Sequence, residues 1–261
     1  MRDLGVLQLL SSGYDHMMPL LDEMPPGIRP ATGRGVHREV AAELAVTVLL
    51  ALCRGLDRYV AQQARERRLP ESHSTMVGKR APVIGCGAVG SAVAARPDAF
   101  RCEPVLVDRT ARTTPVGPVH GVAQLPTPPP TTDAVVLCAP LTDRTRGMCE
   151  ADAPAKLNDA TVLVNIARGE LLDAHAVVRE LRAGRLRVAL DVTDPEPLTP
   201  GHLLRNLPGV LITPHVSAFT DTFSTKTVDF LRRQPHRYER GEEPHNVIVT
   251  TTGAETRERA A

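Results

Sequence analysis

Two hydrophobic regimes divide the chain. Residues 4–10 (LGVLQLL) form one apolar run that reads as a buried strand, closed by the turn Ser11-Ser12-Gly13. Residues 19–35 are rich in Pro and Gly and read as loop. Apolar side chains then recur at 41, 44, 45, 48, 49, 52, 56 and 60, the spacing of one long helix. The charges at 65–68 (RERR) read as its solvated end. From residue 81 the pattern becomes short apolar runs: Val83-Ile84, Val105-Leu106-Val107, 134–138, 161–164, Val188-Ala189-Leu190 and Val210-Leu211-Ile212. They lack polar alternation, which suits strands covered on both faces. Between them, 173–183 has helical periodicity, with Asp173 as N-cap and Gly184 just past the end. Alternating strands and helices predict an α/β fold with a doubly wound parallel sheet. The segment 126–130 (PTPPP) reads as a stiff connector, and the polar tail from Gly241 as frayed.

Composition narrows the functional classes. The 261 residues suit one or two domains. Lys plus Arg is 31 against 30 Asp plus Glu, a formal charge of +1, so no electrostatic case exists for a nucleic-acid or membrane-surface partner. Aromatics are 3% and Trp is absent, so the core must be aliphatic. Five cysteines, an odd number without C-x-x-C or Cys/His ligand spacing, predict reduced thiols, no metal site and a cytoplasmic location. The longest uncharged apolar run, 44–53, is about half a membrane span. The N-terminal run is too short for a signal peptide and lacks a cleavage site.

Val83-Ile84 leads directly into Gly85-Cys86-Gly87-Ala88-Val89-Gly90, a G-x-G-x-x-G segment. Gly85 permits a tight turn, Gly87 close approach of backbone to a pyrophosphate, and Gly90 close helix–strand packing. A helix opening near Ala88 would aim free amides and its positive dipole end at phosphate. Asp108 ends the next apolar run, where an acid can hold the ribose hydroxyls of NAD. Arg109 beside it would soften rejection of a 2′-phosphate, which keeps NADP as the second candidate.

Three further segments place a reactive side chain just after an apolar run: Arg168 after 161–164, Glu196 after 188–190 and His215 after 210–212. In an open parallel sheet, ligands bind beyond the carboxyl ends of the strands. A guanidinium can pair with a carboxylate and polarise a keto group. An imidazole can deliver or accept the proton at the carbonyl oxygen. A carboxylate beside it would orient the ring and stabilise its charged form.

The ordered set GCGAVG, PLTDRTRG, LVNIARGELLD, LRAGRLRVALDVTDPEPL and LITPHVSAFT resembles the D-isomer-specific 2-hydroxyacid dehydrogenase family. The match runs from about Gly5 to Val249 and is densest over 133–216. The resemblance implies a Rossmann NAD-binding domain at 36–216, set into a flavodoxin-like substrate domain of which 1–35 and 217–261 would be a truncated remnant. It implies a homodimer formed mainly through the NAD domains, with the helix at 36–66 contributing. It also implies a small 2-keto or 2-hydroxy acid as substrate, with Arg168, Glu196 and His215 catalytic. Ser12 and Gly13 match the loop whose amides hold the substrate carboxylate. Pro140 and Thr145 match the loop beside the cofactor, Ile166 and Ala167 fall in the NIARG segment, and Asp191 matches the acid near the nicotinamide carboxamide.

The chain also departs from the family. Several tens of residues that usually precede LGVLQLLSSGYD are not in it, an expected loss of neighbours for the strand at 4–10. Pro82 falls in the strand before the glycine loop and Pro97 in the helix after it, each removing a backbone donor, so the helix is expected to end near Ala95. Pro104 and Pro154 sit where element ends would tolerate them, and Arg101 stands where the family turns with Gly. The leading expectation is therefore an NAD-dependent oxidoreductase. The alternative is a non-catalytic NAD-binding regulatory protein or an inactive truncated paralogue.

Overall fold

The computed structural model describes residues 4–21, 23–122, 132–149 and 153–248. The connector at 126–130 and the tail beyond 248 lie outside them. The chain divides into two compact units: Met1–Arg38 with Ala218–Ala261, and Glu39–Ser217.

The first unit holds strands β1 (Val6–Gln8) and β2 (Arg29–Ala31), the short helix α1 (Met18–Leu21) and, in chain order the last helix, α6 (Phe223–Glu239). β1 and β2 pair in parallel as a two-stranded sheet. The apolar run at 4–10 thus yields three strand residues, all half-buried rather than buried. The stretch 19–35, expected as loop, contains most of α1 and all of β2. Its Pro and Gly residues flank these elements, except Pro19 inside α1 and Pro30 inside β2. His37, buried just before the next helix, stacks on Phe223 at 4.6 Å with 7° between ring planes.

The second unit begins with α2 (Arg38–Cys53) and α3 (Leu56–Ala64). The single long helix expected from the apolar spacing is two helices. Gly55 breaks it with φ +64, and a Cβ there would meet the His73 imidazole at 2.2 Å. Beyond the break the stripe changes character: Leu52 is buried, whereas Leu56 and Val60 are exposed.

An eight-stranded sheet follows, ordered β10-β9-β8-β7-β3-β4-β6-β5, all parallel except the β5–β6 pair. Its strands are β3 (Arg80–Ile84), β4 (Glu103–Asp108), β5 (Arg112–Thr114), β6 (Gly117–Gly121), β7 (Ala134–Leu137), β8 (Thr161–Asn165), β9 (Leu186–Leu190) and β10 (Val210–Ile212). All six apolar runs are strands. The sheet divides its side chains between two cores. Val136, Val162, Val164 and Ala189 face α2 and α4 (Ala88–Ala94). Val135, Leu137, Leu163, Val188 and Leu190 face α5 (Ala174–Arg182). Covering both faces is why the runs show no polar alternation. Asp173 caps α5, accepting from the amides of His175 and Ala176 at 2.8 and 3.1 Å.

The prolines are accommodated locally. β3 pairs with β4 over five residues but with β7 only at Val83 and Ile84. Arg80 and Ile84, in phase with Pro82, bond to Asp133 and Cys138 on the β7 side, so the missing Pro82 donor falls on the shortened ladder. α4 ends at Ala94, as expected, and Pro97 opens a separate 3-10 turn, Pro97–Phe100. Pro154 likewise begins a 3-10 turn. Arg101 has φ 52, the left-handed conformation that favours glycine. No helix among the described residues is long and apolar enough to cross a membrane.

Candidate active site and dinucleotide loop

β3 lies between β4 and β7, and from it the first strands build outward to one side of the sheet and the later ones to the other. This is the topological switch point, where open α/β sheets bind ligands beyond the strand ends. The glycine loop occupies that end of β3. Gly85 has φ +96, and a Cβ there would lie 2.4 Å from the amide nitrogen of Ala139. At Gly90 a Cβ would lie 1.9 Å from the carbonyl oxygen of Gly85. Both positions need hydrogen for the loop to close on β7 and on itself. At Gly87, by contrast, an added Cβ meets nothing within 4 Å, so the backbone there borders open space. The first α4 bond runs from the Ser91 amide to the Gly87 carbonyl, which leaves the amides of Ala88, Val89 and Gly90 ahead of the helical ladder. These features fit a dinucleotide pyrophosphate.

Asp108 ends β4 and closes the loop from the other side. Its Oδ2 accepts from the Cys86 amide at 3.2 Å and from Arg112 Nη2 at 2.7 Å, while Oδ1 accepts from the Arg109 amide at 2.7 Å. Burial opposes the charge on this carboxyl, but the Arg112 hydrogen bond, the Arg109 amide, the Arg112 charge and the Cys86 amide together hold its pKa below the ordinary value. Arg112, at the start of β5, went unnoticed in the sequence. The only signal was a second arginine three residues after Arg109 in DRTAR.

Beyond β7, Thr145 Oγ1 donates to the Pro140 carbonyl at 2.6 Å and closes the 140–145 loop. This loop continues from Ala139, whose backbone packs against Gly85. After β8, the Ile166 amide bonds to the Leu137 carbonyl at 3.4 Å, and the Ala167 amide to Asn165 Oδ1 at 3.0 Å. Asn165 Nδ2 holds the Arg168 carbonyl at 2.8 Å, while Arg168 itself is extended and half-buried. Gly169 then permits a close approach: a Cβ there would lie 2.1 Å from the Thr193 carbonyl carbon and oxygen. The loop that carries Arg168 is thereby pressed onto the loop that carries Glu196.

Glu196 and His215 meet directly, Oε1 to Nδ1 at 2.6 Å, across 19 residues of chain. The Thr193 amide approaches Glu196 Oε2 at 3.4 Å. His215 has φ 54, and its amide bonds to the Asp191 carbonyl at 2.8 Å. The Asp191 carboxylate is buried and takes three donors from the same loop: Thr213 Oγ1 at 2.6 Å, the Val216 amide at 2.9 Å and the Ser217 amide at 3.0 Å. Asp191 therefore anchors the His215 loop, a task that the sequence did not reveal. Ser12 and Gly13 belong to the first unit, in the loop after β1, where Ser11 Oγ donates to the Gly13 carbonyl at 2.8 Å.

All five cysteines are free thiols. Burial pushes Cys138 up to about 12, and Cys86, Cys102 and Cys149 up to about 11, so none of these four is poised as a nucleophile.

Residues 46–217 match the family described as D-isomer specific 2-hydroxyacid dehydrogenase, NAD binding domain. The chain is 32% identical over 230 residues to the glyoxylate reductase/hydroxypyruvate reductase of Mus musculus, a match spanning 84% of this chain and 69% of that protein. It is 32% identical over 199 residues to the hydroxypyruvate reductase of Thermotoga maritima, covering 74% of this chain and 64% of that one. Among solved structures, the TT0316 protein of Thermus thermophilus superposes with a TM-score of 0.81 at 33% identity, over 95% of this chain and 80% of its own. The D-isomer specific 2-hydroxyacid dehydrogenase of Xanthobacter autotrophicus Py2, in complex with NADPH and MES, does so with a TM-score of 0.82 at 25% identity, over 95% and 78%. With a glycine loop at the switch point of a doubly wound sheet and two thirds of its length matching one domain, this chain belongs to the D-isomer specific 2-hydroxyacid dehydrogenase family of NAD(P)-dependent oxidoreductases.

Proposed function

We propose that the protein interconverts a small 2-keto acid and the D-2-hydroxy acid, with glyoxylate and hydroxypyruvate as the first substrates to test. The 2.6 Å contact between His215 Nδ1 and Glu196 Oε1, at the strand ends that also carry Arg168, is the observation that supports this reading most. The names of the relatives support the substrate class. The dinucleotide, when bound, supplies the hydride, from NADH or, as the second candidate, NADPH. Gly85, Gly87, Ala88, Val89 and Gly90 would hold its phosphates, Asp108 and Arg109 its ribose, and Pro140, Thr145, Ile166, Ala167 and Asp191 would line or brace the remainder of the cleft.

Arg168 pairs with the substrate carboxylate and polarises the keto oxygen through its planar fork. Glu196 accepts from His215 Nδ1–H, which leaves Nε2 facing the reacting oxygen. As hydride adds to the carbonyl carbon, the C=O π pair moves onto oxygen, and His215 Nε2 delivers the proton that completes the alcohol. In the reverse direction Nε2 takes that proton back. The thiols suit a cytoplasmic setting. Leu56 and Val60 on α3 and Leu69 just beyond it are exposed, a surface that suits self-association as a homodimer.

The test is NADH and NADPH consumption with glyoxylate, pyruvate and hydroxypyruvate. Turnover is expected with at least one acid and is expected to vanish in Arg168→Ala while the protein still melts cooperatively. Absence of turnover across the panel by folded, nucleotide-binding protein would overturn the reading.

A further inference from the structure

A cavity of about 280 Å³ opens wholly within the first unit. Three separate stretches of chain line it: Arg34 and Gly35 ahead of α2, Phe230 and Arg233 on one face of α6, and His245 with Asn246 after that helix. Phe230 is buried, and no Asp or Glu borders the space. Two guanidiniums, an imidazole and a carboxamide therefore surround it. β2 meets β1 along one edge and residues 246–248 along the other. The wall at His245 and Asn246 is thus across β2 from the Ser12–Gly13 loop that follows β1.

The two guanidiniums are not neutralised by the protein. Neither Arg34 nor Arg233 forms an ion pair among the described residues, because the acids near them answer other bases. Asp229 faces Arg232 at 3.9 Å, Glu239 faces His236 at 3.7 Å, and Glu242 takes both Arg237 at 3.0 Å and Arg240 at 2.8 Å. Meanwhile the backbone holds the walls together. Asn246 Nδ2 donates to the Arg34 carbonyl at 2.9 Å and to the Thr32 carbonyl at 3.3 Å, and the His245 amide donates to Oε1 of the buried Gln234 at 2.8 Å. Cations held on one cavity repel each other, and an anion between them reverses the sign of that interaction. Gly35 has φ +85, and an added Cβ there meets nothing within 4 Å, so its backbone borders open space. Its amide donates to no acceptor among the described residues.

We infer that this cavity binds a phosphate group, as the free ion or as the terminus of a small phosphorylated metabolite. The forks of Arg34 and Arg233 suit a tetrahedral dianion, with the Gly35 amide and the His245 ring as further donors. A single carboxylate would neutralise only one of the two guanidiniums. The volume lies at the small end of ligand sites, which excludes a whole dinucleotide. The inference is independent of the proposed reaction: every lining residue is in the first unit, whereas the glycine loop is in the second.

The experiment is calorimetric titration of the full chain with inorganic phosphate and with glycerol 3-phosphate, which is neither a 2-keto nor a 2-hydroxy acid. Ionic strength is held constant with NaCl, since exposed arginines are screened by salt. Saturable binding of phosphate is expected, and Arg34→Gln and Arg233→Gln should each weaken it about tenfold, the loss of one charge-assisted contact. Arg233→Lys, which keeps the charge but not the fork, should weaken it less. The NADH Kd should hold within twofold in all three. Tighter binding of glycerol 3-phosphate than of inorganic phosphate assigns the organic phosphate as occupant, and equal or weaker binding assigns the free ion. Phosphate binding undiminished in both Gln variants would put the ion elsewhere, at the glycine loop, and overturn the assignment. Absence of saturable binding by the wild-type chain would do the same. Arg34 and Arg233 lie on different segments, so if one variant melts below the assay temperature the other decides.

Discussion

His215 and Glu196 form a short pair whose members come from different strand ends. With Nδ1 committed to the carboxylate, the ring has one orientation and one nitrogen left for substrate. Replacing His215 by Asn should lower kcat by on the order of 10²–10⁴ with little change in the NADH Kd, because only the proton transfer is lost. Glu196→Gln keeps the shape and loses the charge, so a smaller kcat loss and an altered pH–rate profile are expected. Steady-state kinetics from pH 5 to 9 check both, and an unchanged profile would remove Glu196 from its role. Arg101 gives a stability prediction. Its φ of 52 carries a cost of about 1–2 kcal/mol for an L side chain, so Arg101→Gly should raise the melting temperature by a few degrees. At this scale the positions of Arg168, Glu196 and His215 were legible, since each follows an apolar run that is a strand. It was silent on Arg112, Asn165 and Thr213, whose importance comes from partners that only the folded backbone brings near.

Among the elements, the sheet strands were the most legible, because burial on both faces leaves unbroken apolar runs. The helix spanning 41–60 was misread for a physical reason. Its apolar spacing continues past residue 53, but Gly55 turns the chain and His73 fills the space a side chain would need. β5 and β6 left no apolar signature, β5 being the edge strand with an exposed Thr113 and β6, beside it, carrying Pro118 and His120. The contact between His37 and α6 yields a pH prediction. Burial first, and the charge of Lys226 second, push the His37 proton off and hold its pKa below 6.5. The unfolded chain therefore binds more protons as the pH falls below that value, and stability drains away in the same direction. The melting temperature should be lower at pH 5.5 than at 7.5, and His37→Phe should flatten that slope. If the variant keeps the wild-type slope, another group carries the effect.

For the whole molecule, the family resemblance was legible because the motifs cluster at the carboxyl ends of β3, β7, β8, β9 and β10, which are sequence-local features. The elements of the first unit were harder to read. Its halves come from the two ends of the chain, and the strand at 29–31 carries no apolar run to announce it. Residues 39–217 contain both hydrophobic clusters and the glycine loop, so expressed alone they should melt cooperatively and bind a nicotinamide dinucleotide. Calorimetry and nucleotide titration of that segment check this, and an unstructured product would show that the sheet depends on the rest of the chain.

β2 meets residues 246–248: the Thr32 amide bonds to the Asn246 carbonyl at 3.0 Å, and the Ile248 amide to the Pro30 carbonyl at 2.7 Å. On the ribosome this places the two units in a fixed order of time. β2 is made well before residues 246–248 and lacks that partner until some two hundred further residues have been added, an interval on the order of 10–40 s at bacterial or eukaryotic elongation speeds. The nucleotide-binding sheet can close during that wait. Residues 6–31 are then made before the sheet strands yet complete their pairing after them, and a chaperone that shields Val6 and Leu7 has that whole interval in which to act.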